Sequence, residues 1–426
     1  MFNILLLKDV LSSDVSGTVN VVNFVDKLLE LSLEQNASDI HIEPVEEQTR
    51  VRLRIDGLLY TVVEVPRSNH NAIVSRIKII SGMDIAEKRL PQDGRVDLVV
   101  SGRKVDLRIA TIPVVEGEKL VIRLLDKGQQ LKTLDSLDFT EANLETYRKL
   151  ISQPNGLILV TGPTGSGKST TLYATLQELN DEKHNIITIE DPVEFKIKGI
   201  NQINVNNKAG LTFANGLRAI VRQDPNIIMV GEIRDAETAR IAVQSALTGH
   251  LVFSTLHTNN AIGAITRLVD LGIEPFLVAA CLRGVVAQRL VRRVCPNCKQ
   301  RYTAEPVERK LLDYYLCEHD DYEEFKYAGT LGRENVELVD KKLLLHKGQC
   351  CRFCNETGYK GRVAVQEVLA VNDNLREMIT KGKSEKEMFE VAVRKGFTTL
   401  AQDCVRKTLE GVTTFEEALR VTYLNQ

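Results

Sequence analysis

No apolar run in the 426 residues approaches the roughly 18 to 20 that a membrane-spanning helix needs; stretches such as Leu157 to Val160 and Phe276 to Leu282 are far shorter. The start, MFNILLLKDV, lacks the basic flank and longer apolar core of a secretory signal. Excess charge is missing too: Lys+Arg 55 against Asp+Glu 57 gives −2, which excludes coating nucleic acid through overall basicity and leaves room only for a local basic groove. No internal repeat or low-complexity tract is apparent. These absences lead to the expectation of a cytoplasmic chain whose link to a membrane runs through partners. What is present is 43% hydrophobic and 26% charged residues, enough for several cores and two to three domains at about 150 residues each.

Thr18 to Gln35 repeats apolar side chains at helical spacing (Val21, Val22, Phe24, Val25, Leu28, Leu29, Leu31) and predicts an amphipathic helix. From Arg50 to Val65 the pattern alternates, with Asp56-Gly57 as a tight turn; a second hairpin turns at Ser101-Gly102. Residues 1–126 therefore read as an α+β domain and 127–144 as a polar linker. Gly156 to Thr161 reads as a buried strand, and the runs Asn185 to Ile189, Ile227 to Val230 and Leu251 to Thr255 alternate with helical stretches. That is the α/β pattern of a parallel sheet, assigned to residues 145–290. Two cysteine clusters flank an acidic and aromatic run (Asp320 to Phe325), read as an inserted subdomain over 291–365. The tail, 366–426, is helical; Ser384 to Glu387 and Thr414 to Glu417 have capping-box spacing.

The chemistry concentrates in GPTGSGKST: Gly162, Pro163, Thr164, Gly165, Ser166, Gly167, Lys168, Ser169 and Thr170. This G-x-x-x-x-G-K-[ST] run follows a strand and opens a helix, so its backbone N–H groups form a nest for phosphates, backed by the helix dipole. Lys168 reaches the β- and γ-phosphates, and Ser169 places its hydroxyl on Mg²⁺. Hydrolysis also needs carboxylates, and two strand ends supply them: ITIEDPVE, with Glu190, Asp191 and Glu194, and IIMVGEIRD, with Glu232. His257, just past the strand in LTGHLVFSTLHT, is placed to sense the γ-phosphate or serves a structural role.

Cys295-Pro-Asn-Cys298 and Cys351-Arg-Phe-Cys354, with 52 residues between the pairs, suit a tetrahedral thiolate site for Zn²⁺. Reduced thiols and redox chemistry are the alternatives, and Cys350 competes with Cys351 by proximity. Cys281, Cys317 and Cys404 have no partner pattern.

Taken in order, SDIHIEP, VRLRIDG, EKRLPQDGR, the phosphate loop, ITIEDPVE, the glutamate-bearing strand end, TGHLVFSTLHT and VVAQRLVRRVCPNC resemble the secretion ATPase superfamily, specifically the assembly ATPases of type II secretion and type IV pili. The resemblance covers nearly the whole chain. It implies a RecA-like P-loop ATPase domain with a smaller N-terminal α+β domain, a zinc subdomain and a C-terminal helical region. It further implies a homo-hexamer at the inner face of the cytoplasmic membrane. On the same resemblance, ATP turnover there is expected to drive an inner-membrane platform protein that adds pilin subunits, with no direct nucleic acid expected. It also implies that Glu194 or Glu190 orients water, Glu194 ahead, with Glu232 helping to position water and magnesium. By matching VDLRIATIP and EKLVIRLL, Arg108 and Arg123 are assigned to the nucleotide phosphates, with Arg222, Arg234 and Arg289 as further candidates. The separate N-terminal module that many members use to dock on a cytoplasmic membrane-protein domain is expected to be missing or reduced. The competing readings are a nucleic-acid translocase or helicase of the same fold and a weakly catalytic ATP-binding scaffold.

Overall fold

The computed structural model describes residues 20–128, 131–316, 338–339 and 342–423. The run Asp320 to Phe325 and Cys317 lie outside the described residues. The chain divides into two compact units, Met1–Gln130 and Leu131–Gln426.

In the first unit, helix α1 (Val21–Glu34) starts where the side chain of Asn20 accepts the N–H of Asn23 at 3.2 Å. Strands β1 (Asp39–Pro44), β2 (Gln48–Ile55) and β3 (Leu58–Pro66) follow, then α2 (His70–Ile80), β4 (Gln92–Val100), β5 (Arg103–Val114) and β6 (Gly117–Asp126). The sheet order is β3-β2-β1-β6-β5-β4, antiparallel throughout. Both expected turns have paired positive φ, 48° and 89° at Asp56-Gly57 and 48° and 79° at Ser101-Gly102. One face of the sheet buries Ile40, Ile42, Val51, Leu53, Leu107 and Ile122 in the same core as Phe24 and Leu28 of α1 and Ile73 and Ile77 of α2. The polar positions then share the other face, and the register aligns Arg54, Asp39, Arg123, Arg108 and Arg95 in one row across five strands.

The second unit contains α3 (Glu141–Ile151), β7 (Gly156–Thr161), α4 (Lys168–Leu179), β8 (Ile186–Glu190), β9 (Asn201–Asn204), α5 (Phe213–Ile220), β10 (Ile227–Val230), α6 (Ala236–Leu247), β11 (Leu251–Leu256), α7 (Gly263–Asp270) and α8 (Pro275–Cys281). It continues through β12 (Leu282–Val294), β13 (Lys299–Thr303), α9 (Pro306–Leu316), β14 (Leu338–Val339), β15 (Lys342–Gly348) and β16 (Tyr359–Ala370). Four helices close it: α10 (Asp373–Thr380), α11 (Glu385–Arg394), α12 (Leu400–Leu409) and α13 (Phe415–Tyr423). The main sheet has the order β16-β12-β7-β11-β10-β8-β9, parallel except for β16. Its central strands β7, β8, β10 and β11 are buried throughout because both faces are covered: Leu157 and Leu159 of β7 enter one core, Ile158 and Val160 the other. A smaller sheet joins β13, β15 and β14.

Three expectations differ from what is observed. The segment read as a linker contains a 3₁₀ turn, Leu134–Ser136, and the start of α3; Leu134 and Leu137 are buried, so its scattered apolar residues pack on the second unit. The boundaries expected at 290/291 and 365/366 fall inside β12 and β16, neighbouring strands of the main sheet. The Ser384–Glu387 capping box forms, but at Thr414 only half of one does: Thr414 accepts the N–H of Glu417, while the Glu417 carboxylate turns to Arg292 at 2.9 Å.

The tail docks through charge as well as apolar contact. Lys407 of α12 bonds Asp403 at 2.7 Å and the carbonyl of Ala364 in β16 at 2.6 Å, and Asp403 accepts the N–H of Gln366 at 2.8 Å. Both side chains are buried. Lys407→Met is expected to destabilise the chain by about 3–5 kcal/mol, because it strands a buried carboxylate. Adding Asp403→Leu recovers part of that loss, as read by thermal unfolding.

Candidate active site and metal centre

The glycine turn of residues 162–167 joins β7 to α4, and its closure is dictated by Gln288 of β12. A Cβ on Gly162 (φ 143°) would stand 2.3 Å from the carbonyl oxygen of Gln288, and one on Gly167 (φ 89°) 2.6 Å from its Nε2. In the space this leaves, Gln288 donates to the carbonyl of Ser166 at 2.7 Å and accepts from the Thr171 hydroxyl at 2.7 Å. Pro163, Thr164, Gly165, Ser169 and Thr170 are exposed, so the turn presents its rim to solvent.

Lys168, Ser169, Glu190, Glu194, Glu232 and His257 line one cleft of about 160 Å³. That is below the roughly 300–1,000 Å³ of small-molecule pockets. Its wall is the carboxyl edge of β8, β10 and β11, where ligands of parallel sheets bind. Lys168 Nζ donates to the carbonyls of Gly162 (2.8 Å) and Pro163 (3.0 Å). Burial lowers its pKa against the opposing pull of Glu232. Glu232 pairs with Arg234 at 2.7 Å and lies 3.7 Å from His257 Nε2. Burial, then the Lys168 charge, push the His257 pKa below its ordinary value, outweighing Glu232. The imidazole is therefore neutral at pH 7.

The two glutamates after β8 differ. Glu190 is buried, and its carboxylate takes the hydroxyls of Tyr173 and Thr188 (the latter at 2.6 Å) and the amide of Gln202 at 3.2 Å. Glu194 is half-buried on the loop beyond. Neither Tyr173 nor Gln288 stands out in the sequence as functional. The available signal was a polar atom inside an otherwise buried helix or strand, which must find a partner.

Arg108 and Arg123 belong to the first unit. Arg123 Nε is bonded to Asp39 at 3.1 Å, and the flanking Arg95 makes a two-bond pair with Asp106 at 2.6 and 2.9 Å. Nε and Nη2 of Arg108 have no hydrogen-bond partner among the described residues. Of the further candidates, Arg234 is the partner of Glu232, and Arg289 is buried beside Asn259, with its pKa lowered by burial.

The sulfurs of Cys295, Cys298, Cys351 and Cys354 all lie within 4.8 Å of one another. The Cys295–Cys351, Cys298–Cys354 and Cys351–Cys354 separations are 3.8, 3.8 and 3.7 Å. Four thiolates at 2.3 Å around one zinc stand about 3.8 Å apart, so the set is compatible with Zn²⁺. Cys351 rather than Cys350 occupies the fourth place; Cys350 is exposed, with φ 60°. Burial opposes charge on Cys354, but N–H groups of Cys351 and Gly358 outweigh it and bring the thiol down to about 6. Cys281 and Cys404 are buried apart from the cluster.

A phosphate nest at the edge of a parallel sheet, with a lysine and carboxylates converging on it, defines a P-loop ATPase. A profile described as "Type II/IV secretion system protein" matches residues 14–420, and the chain belongs to that family. It is 47% identical over 415 residues to the type II secretion system ATPase E of Vibrio cholerae, covering 97% of this chain and 77% of the relative. It is 48% identical over 399 residues to the type IV pilus assembly ATPase PilB of Thermus thermophilus, covering 94% and 42%. Among solved structures it resembles the pilus retraction motor PilT with bound ADP (TM-score 0.60, 25% identity, 93% of this chain and 96% of that one). No described helix is long and apolar enough to cross a membrane.

The cluster yields a prediction. The purified chain is expected to carry about one zinc, and Cys298→Ser to lose most of it together with several degrees of melting temperature, since binding a structural metal is folding free energy. Elemental analysis and thermal unfolding read the two effects.

Proposed function

We propose that ATP hydrolysis in this cleft powers assembly of a type II secretion pseudopilus or a type IV pilus. In this reading a homo-hexamer acts at the inner face of the cytoplasmic membrane on an inner-membrane platform protein. The observation that carries it is the pairing of a complete phosphate-and-carboxylate cleft with 47% identity, across 97% of the chain, to a secretion ATPase. Nothing in the comparisons supports the translocase or scaffold readings.

In the mechanism, the N–H groups of 164–169 receive the phosphates, and Lys168 exchanges two carbonyl partners for phosphate oxygens. Ser169 and Glu232 are the residues that would hold Mg²⁺, which would supply positive charge to offset that of the phosphates. Glu194 orients the attacking water. Glu190 is assigned a supporting role, because three donors already occupy its buried carboxylate. Neutral His257, beside Glu232, reads the γ-phosphate. The sheet arginines Arg108 and Arg123 are assigned to the phosphates by the family resemblance; Arg123 Nε is paired with Asp39, and Nε and Nη2 of Arg108 are buried without a hydrogen-bond partner among the described residues.

Steady-state ATP turnover of the purified chain, with filament assembly in a host lacking it, tests this. Lys168→Ala is expected to abolish both. Glu194→Gln should lower kcat about 100-fold or more and Glu190→Gln less than about tenfold, the latter with a lower melting temperature. Arg108→Ala should lower kcat by about 10- to 1,000-fold with the KM for ATP little changed. Unchanged turnover in Lys168→Ala would refute the assignment of the cleft.

A further inference from the structure

Tyr173 stands in the middle of α4, five residues after Lys168, and is buried. Its hydroxyl is shared between the two glutamates whose roles diverge. It donates to the carboxylate of Glu190 and accepts the backbone N–H of Glu194 at 3.1 Å. The ring is held edge-on by Phe195, with centroids 6.2 Å apart at 89°. Burial and the adjacent Glu190 charge raise the pKa of the phenol, so the hydroxyl keeps its proton and its direction.

The loop carrying Glu194 is tethered elsewhere to β9: Asn204 accepts the N–H of Val193 at 2.8 Å, and Gln202 accepts that of Ile197 at 2.7 Å. Those bonds hold the loop to the edge of the sheet. The Tyr173 bond holds it to the helix whose first residues, Lys168 and Ser169, line the cleft. Because the tyrosine is anchored to Glu190, itself pinned by Thr188 and Gln202, one hydroxyl fixes the distance between the phosphate loop and the backbone of Glu194.

We propose that Tyr173 is a positioning residue for hydrolysis, setting the carboxylate of Glu194 in register with the phosphates through its bond to the Glu194 amide. The proposal rests on the assignment of Glu194 as the water-orienting group. Positioning of this kind acts on the chemical step, since a displacement of about 1 Å at a reacting group costs on the order of 100-fold while ground-state affinity stays.

The experiment is a kinetic cycle on the full chain with Tyr173→Phe, Glu194→Gln and their combination, each variant checked by thermal unfolding and by equilibrium binding of a non-hydrolysable ATP analogue. Tyr173→Phe is expected to lower kcat about 10- to 100-fold with KM and analogue affinity within about twofold, and to add nothing further in the Glu194→Gln background. Full kcat in Tyr173→Phe beside a severe loss in Glu194→Gln overturns the tyrosine's role and leaves the glutamate's standing. Full kcat in Glu194→Gln overturns the glutamate assignment itself.

A merely structural tyrosine is distinguished by Tyr173→Phe with Glu190→Gln, in which the buried charge that needs the hydroxyl is gone. This pair serves also if Tyr173→Phe alone folds poorly. The pair is expected to recover stability while kcat stays about tenfold or more below that of Glu190→Gln alone, because the Glu194 amide still lacks its partner. Turnover equal to that of Glu190→Gln would reduce Tyr173 to a satisfier of buried charge and overturn the proposal.

Discussion

The contact between Gln288 and the glycine turn is the constraint from which the site follows. A nest of N–H groups can face a phosphate only if the carbonyls of the same turn face elsewhere, and in a buried setting those carbonyls and the helix behind them need partners. Gln288 meets that need, taking the carbonyl of Ser166 and the Thr171 hydroxyl on opposite ends of one amide. The two glycines nearest it have no room for a side chain. The phosphate loop is thus shaped from behind by β12, a strand remote in sequence, as well as by its own composition.

Electrostatics in the cleft follow from how few charges are gathered there and how each is held. Lys168 is partly desolvated and rests on two carbonyls, weaker partners than the phosphate oxygens that would replace them. Glu232 already has Arg234 at hydrogen-bonding distance and a neutral imidazole next to it. Glu190 is a carboxylate surrounded by donors and Glu194 one on a tethered loop. Two acids four residues apart therefore occupy different chemical situations, one buried inside the wall and one half-buried on the loop beyond it.

Much of this was legible in the sequence because the signals were local. The strand over 156–161, the turn and the helix after it declare themselves through an unbroken apolar run followed by glycines and a lysine, and the two hairpins through Asp56-Gly57 and Ser101-Gly102. The two Cys-x-x-Cys pairs announced a tetrahedral sulfur set, although the choice of Cys351 over Cys350 needed the backbone, which turns Cys350 outward through a positive φ. What escaped depends on contacts distant in sequence. Nothing local says that Glu417 will leave its cap for Arg292, that Leu134 and Leu137 bury themselves, or that the hydroxyl of Tyr173 lands between two glutamates. Arg108 and Arg123 looked alike as strand residues; the sheet register pairs one with Asp39 and leaves two buried nitrogens of the other without a hydrogen-bond partner among the described residues.

The same strands tie the cysteine cluster to the phosphate loop. β12 carries Gln288 and ends just before Cys295, whose N–H bonds the carbonyl of Gly358 at 3.0 Å as β16 begins. β16 in turn carries Glu367, whose buried carboxylate accepts the N–H of Ala261, beyond His257, at 2.6 Å and that of Leu400, opening α12, at 2.9 Å. A metal joining the two cysteine pairs would hold one end of this strand pair in register, and a one-residue slip would reverse the facing of every side chain on the strand that moved. Gln288 would then leave the glycine turn, or Glu367 the His257 loop. Geometry at the thiolates and geometry at the nucleotide edge are both tied to one strand pairing, although the cluster lies outside the cleft.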